Sequence, residues 1–535
     1  MKCGTVQKPA KQRTDICIGE ILYYLFWSIM LAAKGLGLYE GMLYYNIALI
    51  LSFSCIILKL LLEKHTIREL LIEGALLSLG VMIYVTTSDK APLINILMVI
   101  GLKNVPIKRV FKVGLVVWSA CFTWRTIMEV TGISTGLALV HEKMGLGPII
   151  RWSFGYPHPN VLQISYAVLV AFILYMVNCD GKKYMALVGV LFLGNCYVFL
   201  YSVSYTGVIL VTLFLGISCY FRLRKSFSRL EKILMQSILP VCVSVSLIAP
   251  LIIDTSGIIR KIGEFLNKAV NNRFLASSVY LSCGLAPFGK NLASMNFSFA
   301  LDSSYVGLLV NNGWIIFIIV IAAYYFTIRN YVETNRRKEL AIILTFLITG
   351  ISEPFLFNTS FKNLSLLFIG EALFQWTCNK KGSKFGLNLS TIGRTIYYPA
   401  NSICLYFEKC REQIINKKIK LALVIIVGGM TASILYLVMN PAPEAVYIAV
   451  GNTDCGTREE VFLDQSKLPA DFKGRILEYH GIDKPMYCFN GNIIKVEMLR
   501  GIISWFLLGG SFFGGIGIAV FLLKKEENQD EKRII

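Results

Sequence analysis

The chain has 535 residues, 55% of them hydrophobic and only 16% charged, with a formal net charge of +20. A mean hydropathy of +0.61 excludes an ordinary soluble globule. The basic excess does not indicate nucleic acid as a partner, because Lys and Arg are dispersed over short segments between apolar runs and no module-sized soluble domain carries them.

In chain order, a basic stretch (Lys2, Lys8, Lys11, Arg13) precedes the first apolar run, 15–33. Lys34 leads at once into a second, 38–62, so an uncleaved first span is expected rather than a secretory signal. Further runs follow at 70–87, 91–102 and 113–131, and then a polar loop at 132–159. Four more lie at 160–178, 184–202, 207–221 and 233–253, ahead of a long loop at 254–304. Runs at 305–327, 340–357 and 363–378 precede the basic segment 379–418. The chain closes with 419–439, the polar segment 440–498 and a last run at 499–523. A helix needs about 20 apolar residues to span a bilayer, so these fourteen runs predict an all-α polytopic membrane protein of about 14 transmembrane helices. The runs 91–102 and 207–221 are short for a span.

The distribution of basic residues orients the spans. With the N-terminus inside, roughly two-thirds of the 53 Lys and Arg fall on the cytoplasmic side. Both termini are therefore expected in the cytoplasm, which makes 132–159, 254–304 and 440–498 the long exterior segments. Two domains are expected: a transmembrane core over 1–400 and an appended two-span unit over 401–535. The segment between the last two spans carries short strand patterns at 446–450 and 474–479, a small region of mixed α/β character. In the last span Gly510 and Gly514 have the spacing that lets another helix approach closely. Cys455 and Cys488 are the two cysteines of the exterior segment and form a candidate disulfide pair. No metal site is expected, since no Cys/His cluster has ligand spacing. No GxGxxG or phosphate-loop motif occurs, so no nucleotide cofactor is expected.

Candidate chemistry gathers on the exterior side. Arg151 and the run Gly155-Tyr156-Pro157-His158-Pro159-Asn160 stand at the mouth of a span, with His158 held in one extended course by two prolines. Asn272-Arg273-Phe274, Phe288-Gly289 and Asp302-Ser303-Ser304-Tyr305 follow in the second long loop, where Asp302 suits a helix N-cap. Glu353 and Glu371 lie within apolar runs, and carboxylates at such depth face a bundle interior and take partners.

In order and spacing these elements, with Gly313 and with Glu353 followed by Asn358 and Asn363, resemble the Wzy-type bacterial polysaccharide polymerases and the related O-antigen ligases over about residues 110–380. One element departs: Ser204-Tyr205-Thr206-Gly207 stands where such proteins often have Ser-Arg-Thr-Gly. The resemblance implies transfer of a growing glycan from a polyprenyl diphosphate to a sugar hydroxyl of the next lipid-linked repeat unit, at the outer face of a bacterial plasma membrane. It implies a polyprenyl-diphosphate-linked oligosaccharide and membrane lipids as partners, with a chain-length regulator and a flippase of the same pathway. On that view His158, Asp302 and Glu353 are the candidate catalytic bases, His158 first because its ordinary pKa lies near neutrality. Arg151, Asn160, Arg273 and Tyr305 are the candidate substrate-binding residues. A ligase of the same superfamily and a lipid-linked oligosaccharide flippase are the alternatives.

Overall fold

The computed structural model describes residues 17–133, 138–143, 147–224, 226–253, 255–270, 272–292, 300–378, 384–385, 418–441, 446–449, 479–480, 485–489 and 491–534. The protein is an all-α polytopic membrane protein with small β ribbons, and its described residues fall into two compact units, 18–125 with 155–391 and 126–154 with 392–535.

The first unit holds α1 (Ile18–Gly35), α2 (Leu43–Leu62), α3 (Ile67–Thr87), α4 (Ala91–Ile100) and most of α5 (Ile107–Val130). It continues with α6 (Pro159–Met176), α7 (Lys182–Ser202), α8 (Tyr205–Leu223), α9 (Arg229–Ile252), α10 (Gly257–Ala269) and α11 (Arg273–Ser282). Then come α12 (Ser304–Val310), α13 (Trp314–Glu333), α14 (Arg337–Thr349) and α15 (Ser365–Cys378). The second unit contains a hairpin of β2 (Ala138–Lys143) and β3 (Gly147–Trp152), with α16 (Lys418–Met439) and α17 (Gly491–Ile534). The short β1 (His65–Thr66) pairs antiparallel with β4 (Lys384–Phe385) in the first unit. In the second unit β5 (Val446–Ala449) and β6 (Tyr479–His480) flank β7 (Pro485–Phe489). Thus the first predicted exterior strand forms. Cys455 and most of 474–479 lie outside the described residues.

Ten helices among the described residues are long and apolar enough to cross a membrane, and each matches a predicted span. The other four predicted spans form helices of 18, 10, 13 and 14 residues. The most enclosed of the ten is α6, with 67% of its window buried against 22–39% for the rest. It opens directly from the His158 turn, so that motif is tied to the centre of the bundle. By contrast, α10 exposes Ile258, Ile259, Ile262 and Phe265, which share one face, with Arg260, Lys261 and Glu264 between them. That is the pattern of a helix lying in a membrane interface.

Two expected elements differ. The run 305–327 is not one helix: α12 stops at Val310 and α13 restarts at Trp314. Asn311-Asn312-Gly313 interrupts the apolar run, and Gly313 takes φ 103°, a conformation that side chains disfavour. A Cβ there would lie 2.4 Å from the Pro287 carbonyl oxygen. The loop 286–290 clasps this break, with Trp314 N donating to Ala286 O (3.2 Å) and Lys290 N to Asn311 O (3.2 Å). Likewise 340–357 is helical only to Thr349, which leaves Glu353 beyond the helix in extended backbone (φ −135°). Within α15, Glu371 is partnered as depth requires, accepting from Tyr331 Oη at 2.7 Å and from Arg336 at 2.6 Å.

In the second unit Gly501, Gly509, Gly510, Gly514 and Gly517 of α17 face α16. An added Cβ at Gly509 would lie 2.4 Å from Ala432 Cβ and 2.7 Å from Gly428 O, and one at Gly514 2.8 Å from Ile425. Close approach through small residues is a main source of helix association in lipid. Gly509→Leu should therefore destabilise this pair by about 1–3 kcal/mol, read as a lower unfolding temperature in detergent. Gly515→Leu, where a Cβ meets nothing within 4 Å, should leave that temperature unchanged. The hairpin rests on the start of α17: Trp152 Nε1 donates to Glu497 Oε2 (3.1 Å), and Arg500 Nη1 to Ile150 O (3.0 Å).

Candidate functional site

Three separate stretches of the first unit meet at one guanidinium, and a fourth joins them through Glu353. Asn272 adopts a left-handed conformation (φ 63°), which asparagine tolerates better than most side chains, and starts α11. Asn267 braces that turn, donating to Asn272 Oδ1 (3.1 Å) and accepting from Leu275 N (3.0 Å). Arg273, the first residue of α11, then reaches two carboxylates. Its Nε lies 2.9 Å from Asp302 Oδ2 and its Nη1 2.9 Å from Glu353 Oε1, and Nη1 also donates to the Ser352 carbonyl. Thr206 Oγ1 donates to the same Glu353 oxygen at 2.6 Å. Ser304 Oγ donates to the Glu353 main-chain carbonyl at 2.5 Å.

The two carboxylates are not equivalent. Glu353 is 4% exposed and its Oε1 is doubly bonded, so its charge is held by Arg273 and Thr206. The side chain of Asp302 is 32% exposed. Burial pushes the Asp302 carboxyl above the usual aspartate range, while the guanidinium of Arg273 pulls the other way. Burial raises the Glu353 carboxyl too, so exposure is what separates the pair: a half-open carboxylate can reach a substrate proton and a locked one cannot. The helix-capping role expected of Asp302 belongs to its neighbour: Ser303 caps α12 by accepting from Val306 N.

A cavity of about 290 Å³ adjoins this cluster, lined by Leu301 and Ser303 on either side of Asp302 in sequence and by Pro354 next to Glu353. An apolar groove of about 860 Å³, walled by α3, α4, α13 and α15, meets it at Leu308 and Phe357, which line both.

Of the other expected residues, His158 is extended (φ −158°) and its Nδ1 accepts from Asn160 N at 3.1 Å, capping α6 with Pro159 in the first turn. That bond uses the lone pair that a neutral imidazole would offer as a base and leaves its proton on Nε2. His158 therefore falls below Asp302 as a general base. Asn160 contributes its backbone N–H to this cap. Tyr305, expected at the substrate, is fully buried and donates to Leu347 O at 2.8 Å, so it packs α12 on α14 instead. Arg151 belongs to the second unit, on β3 opposite Leu139, and is 2% exposed.

Gly155 (φ 70°) allows a close approach that no side chain permits, since a Cβ there would lie 1.3 Å from Arg125 Nη2. Beside it, Tyr156 Oη donates to Gly35 O at 3.0 Å. Lys362, 3% exposed, places its Nζ 5.3 Å from the Tyr156 ring centroid and 2.9 Å from Ser165 Oγ. Burial, and after it the charge of Lys34, pushes the Lys362 ammonium well below its ordinary value.

Sequence reasoning missed Thr206, Asp89, Asn311, Asn312 and Lys362. The polar triplet 311–313 inside an apolar run was a legible signal. Thr206 stands in the departing Ser-Tyr-Thr-Gly element. Comparison with family models, with curated proteins and with solved structures returns no match to this chain.

Proposed function

We propose that the protein polymerises lipid-linked oligosaccharide repeat units at the outer face of a bacterial plasma membrane, transferring a glycan from polyprenyl diphosphate to an acceptor sugar hydroxyl. The observation that supports this reading most is the Arg273–Asp302–Glu353 cluster beside a cavity of mixed lining, which shares Leu308 and Phe357 with an apolar groove. A lipid-linked glycan has both characters, and its transfer needs a base but no nucleotide.

In this reading Asp302 takes the proton of the acceptor hydroxyl as its oxygen bonds to the anomeric carbon of the donor. The bond from that carbon to the diphosphate oxygen breaks, and the electron pair leaves with the lipid diphosphate. Arg273 holds Asp302 through one nitrogen and Glu353 through another, so it fixes the base in place. Glu353, fastened in turn by Thr206, acts as a positioning residue.

Deletion of the gene tests the reading through glycan length. Single repeat units accumulating on lipid outside the cell are expected, with long polymer restored by the wild-type gene. Loss of all exterior units would point to a flippase, and unaltered long polymer would remove the glycan assignment.

A further inference from the structure

The cavity beside Asp302 has a lining whose chemistry is specific. Asp89 is the charged residue among the described residues that line it, and its carboxylate is already occupied. Oδ1 accepts from Ala91 N at 2.8 Å, and Oδ2 accepts from Asn311 Nδ2 at 2.7 Å and Asn312 Nδ2 at 2.8 Å. A carboxylate can only accept, so both amides must turn their nitrogens to Asp89 and their carbonyl oxygens away from it. Asp89 thus converts two freely rotating amides into two fixed acceptors. The backbone beneath them is held as well: Asn311 O accepts from Lys290 N, and Gly289 (φ 82°) permits that contact, because a Cβ there would lie 2.0 Å from Asn311 O.

We infer that this cavity is a sugar subsite, which recognises hydroxyl groups through the side-chain carbonyls of Asn311 and Asn312 and positions one hydroxyl for Asp302. The inference deepens the polymerase reading and rests on it. Among the described lining residues none is Lys or Arg, so these offer no counter-charge to a phosphate. Its wall mixes polar and apolar groups, whereas the neighbouring groove is almost wholly apolar and suits a hydrocarbon chain. Uncharged acceptors that want donors, with the rings of Tyr280 and Phe357 also in the wall, suit a polyhydroxyl ring. A volume of about 290 Å³ sits at the small end of ligand pockets, matching one ring rather than an oligosaccharide. Leu301 and Ser303 line the cavity, and Asp302 between them in sequence stands beside it without lining it, so the bound ring would lie next to the proposed base.

The test uses the full-length protein in lipid nanodiscs and, as probe, the free oligosaccharide repeat unit released from the host's own glycan. Saturation-transfer NMR should show magnetisation reaching one sugar ring of the probe in the wild type. In Asn312→Leu the signal should fall at least about fivefold. That variant also strips Asp89 of a partner, so Gly307→Leu provides a second route: Gly307 lines the cavity, and its nearest neighbour to an added Cβ is 3.7 Å away. Its side chain would fill the space while leaving Asp89 and both amides in place, and the signal should fall equally. Asp302→Asn should keep the signal while losing polymerisation, the signature of binding separated from chemistry. Full signal and long polymer in Gly307→Leu would overturn the subsite, even where Arg273→Ala still stops polymerisation. Unaltered long polymer after deletion of the gene would instead overturn the polymerase reading itself.

Discussion

Arg273→Ala should stop the formation of long polymer, with a fall in transfer rate of about 10²–10³-fold, as for removal of one preorganised electrostatic donor. The expectation follows from the position of the guanidinium between Asp302 and Glu353, 2.9 Å from each. Without it Glu353 keeps a buried charge held by Thr206 alone, and an uncompensated buried charge costs about 3–5 kcal/mol. The single variant should accordingly unfold at lower temperature as well as lose activity. Arg273→Ala with Glu353→Gln removes that charge and should recover most of the stability but none of the activity. Stability and glycan length measured on the single and double variants separate the two effects. If the double variant recovered polymer, Arg273 would serve only to neutralise Glu353, and its place in the transfer step would be lost.

Asp302→Asn should produce the other large effect, a loss of about 10²–10⁴-fold, the usual range for a general base. Asparagine keeps the size and one acceptor of the side chain, so the protein should remain in the membrane at wild-type amount. The pH profile carries the discriminating information. A base works ionised, so the rate with lipid-linked substrate should fall as pH drops through the pKa of Asp302. Burial raises that pKa, so the acid limb should lie above the ordinary aspartate value of about 3.9. Arg273 opposes the rise, so its removal should move the limb of any residual activity to still higher pH. An acid limb unchanged in both variants would exclude Asp302 as the group that titrates.

The sequence made the membrane character and the number of apolar segments legible because length and hydrophobicity alone determine what a bilayer accepts. Ten of the predicted spans are helices meeting both criteria. The errors came where an apolar run hid a polar joint. In 305–327, Asn311-Asn312-Gly313 ends one helix and begins another, and composition averages over such a triplet. Glu353 was read inside a span because its neighbours are apolar, yet the helix stops at Thr349.

The candidate site was legible as a set of residue types and less so as a set of roles. Arg273, Asp302 and Glu353 meet in space although 80 positions separate the first from the last. His158 looked like the best base from its ordinary pKa. Its bond to Asn160 N, which sequence could not reveal, makes it a cap. Tyr305 was chosen from its place at the head of a span, but a tyrosine there can equally turn inward, as this one does. The Asp89 network joins a three-residue turn to a helix break 222 positions away, a distance over which no local pattern operates.

The hairpin of β2 and β3 has a temporal consequence. Its anchor, Arg500 on Ile150 O, joins partners 350 positions apart, and at ordinary translation speeds about 20–70 s pass between their emergence from the ribosome. Throughout that interval Ile150 and Trp152, both buried in the finished protein, have no α17 to rest on. A nascent chain halted before residue 491 would carry an undocked ribbon for a protease to cut. Limited digestion of stalled ribosome complexes should show cleavage there that vanishes once α17 is complete.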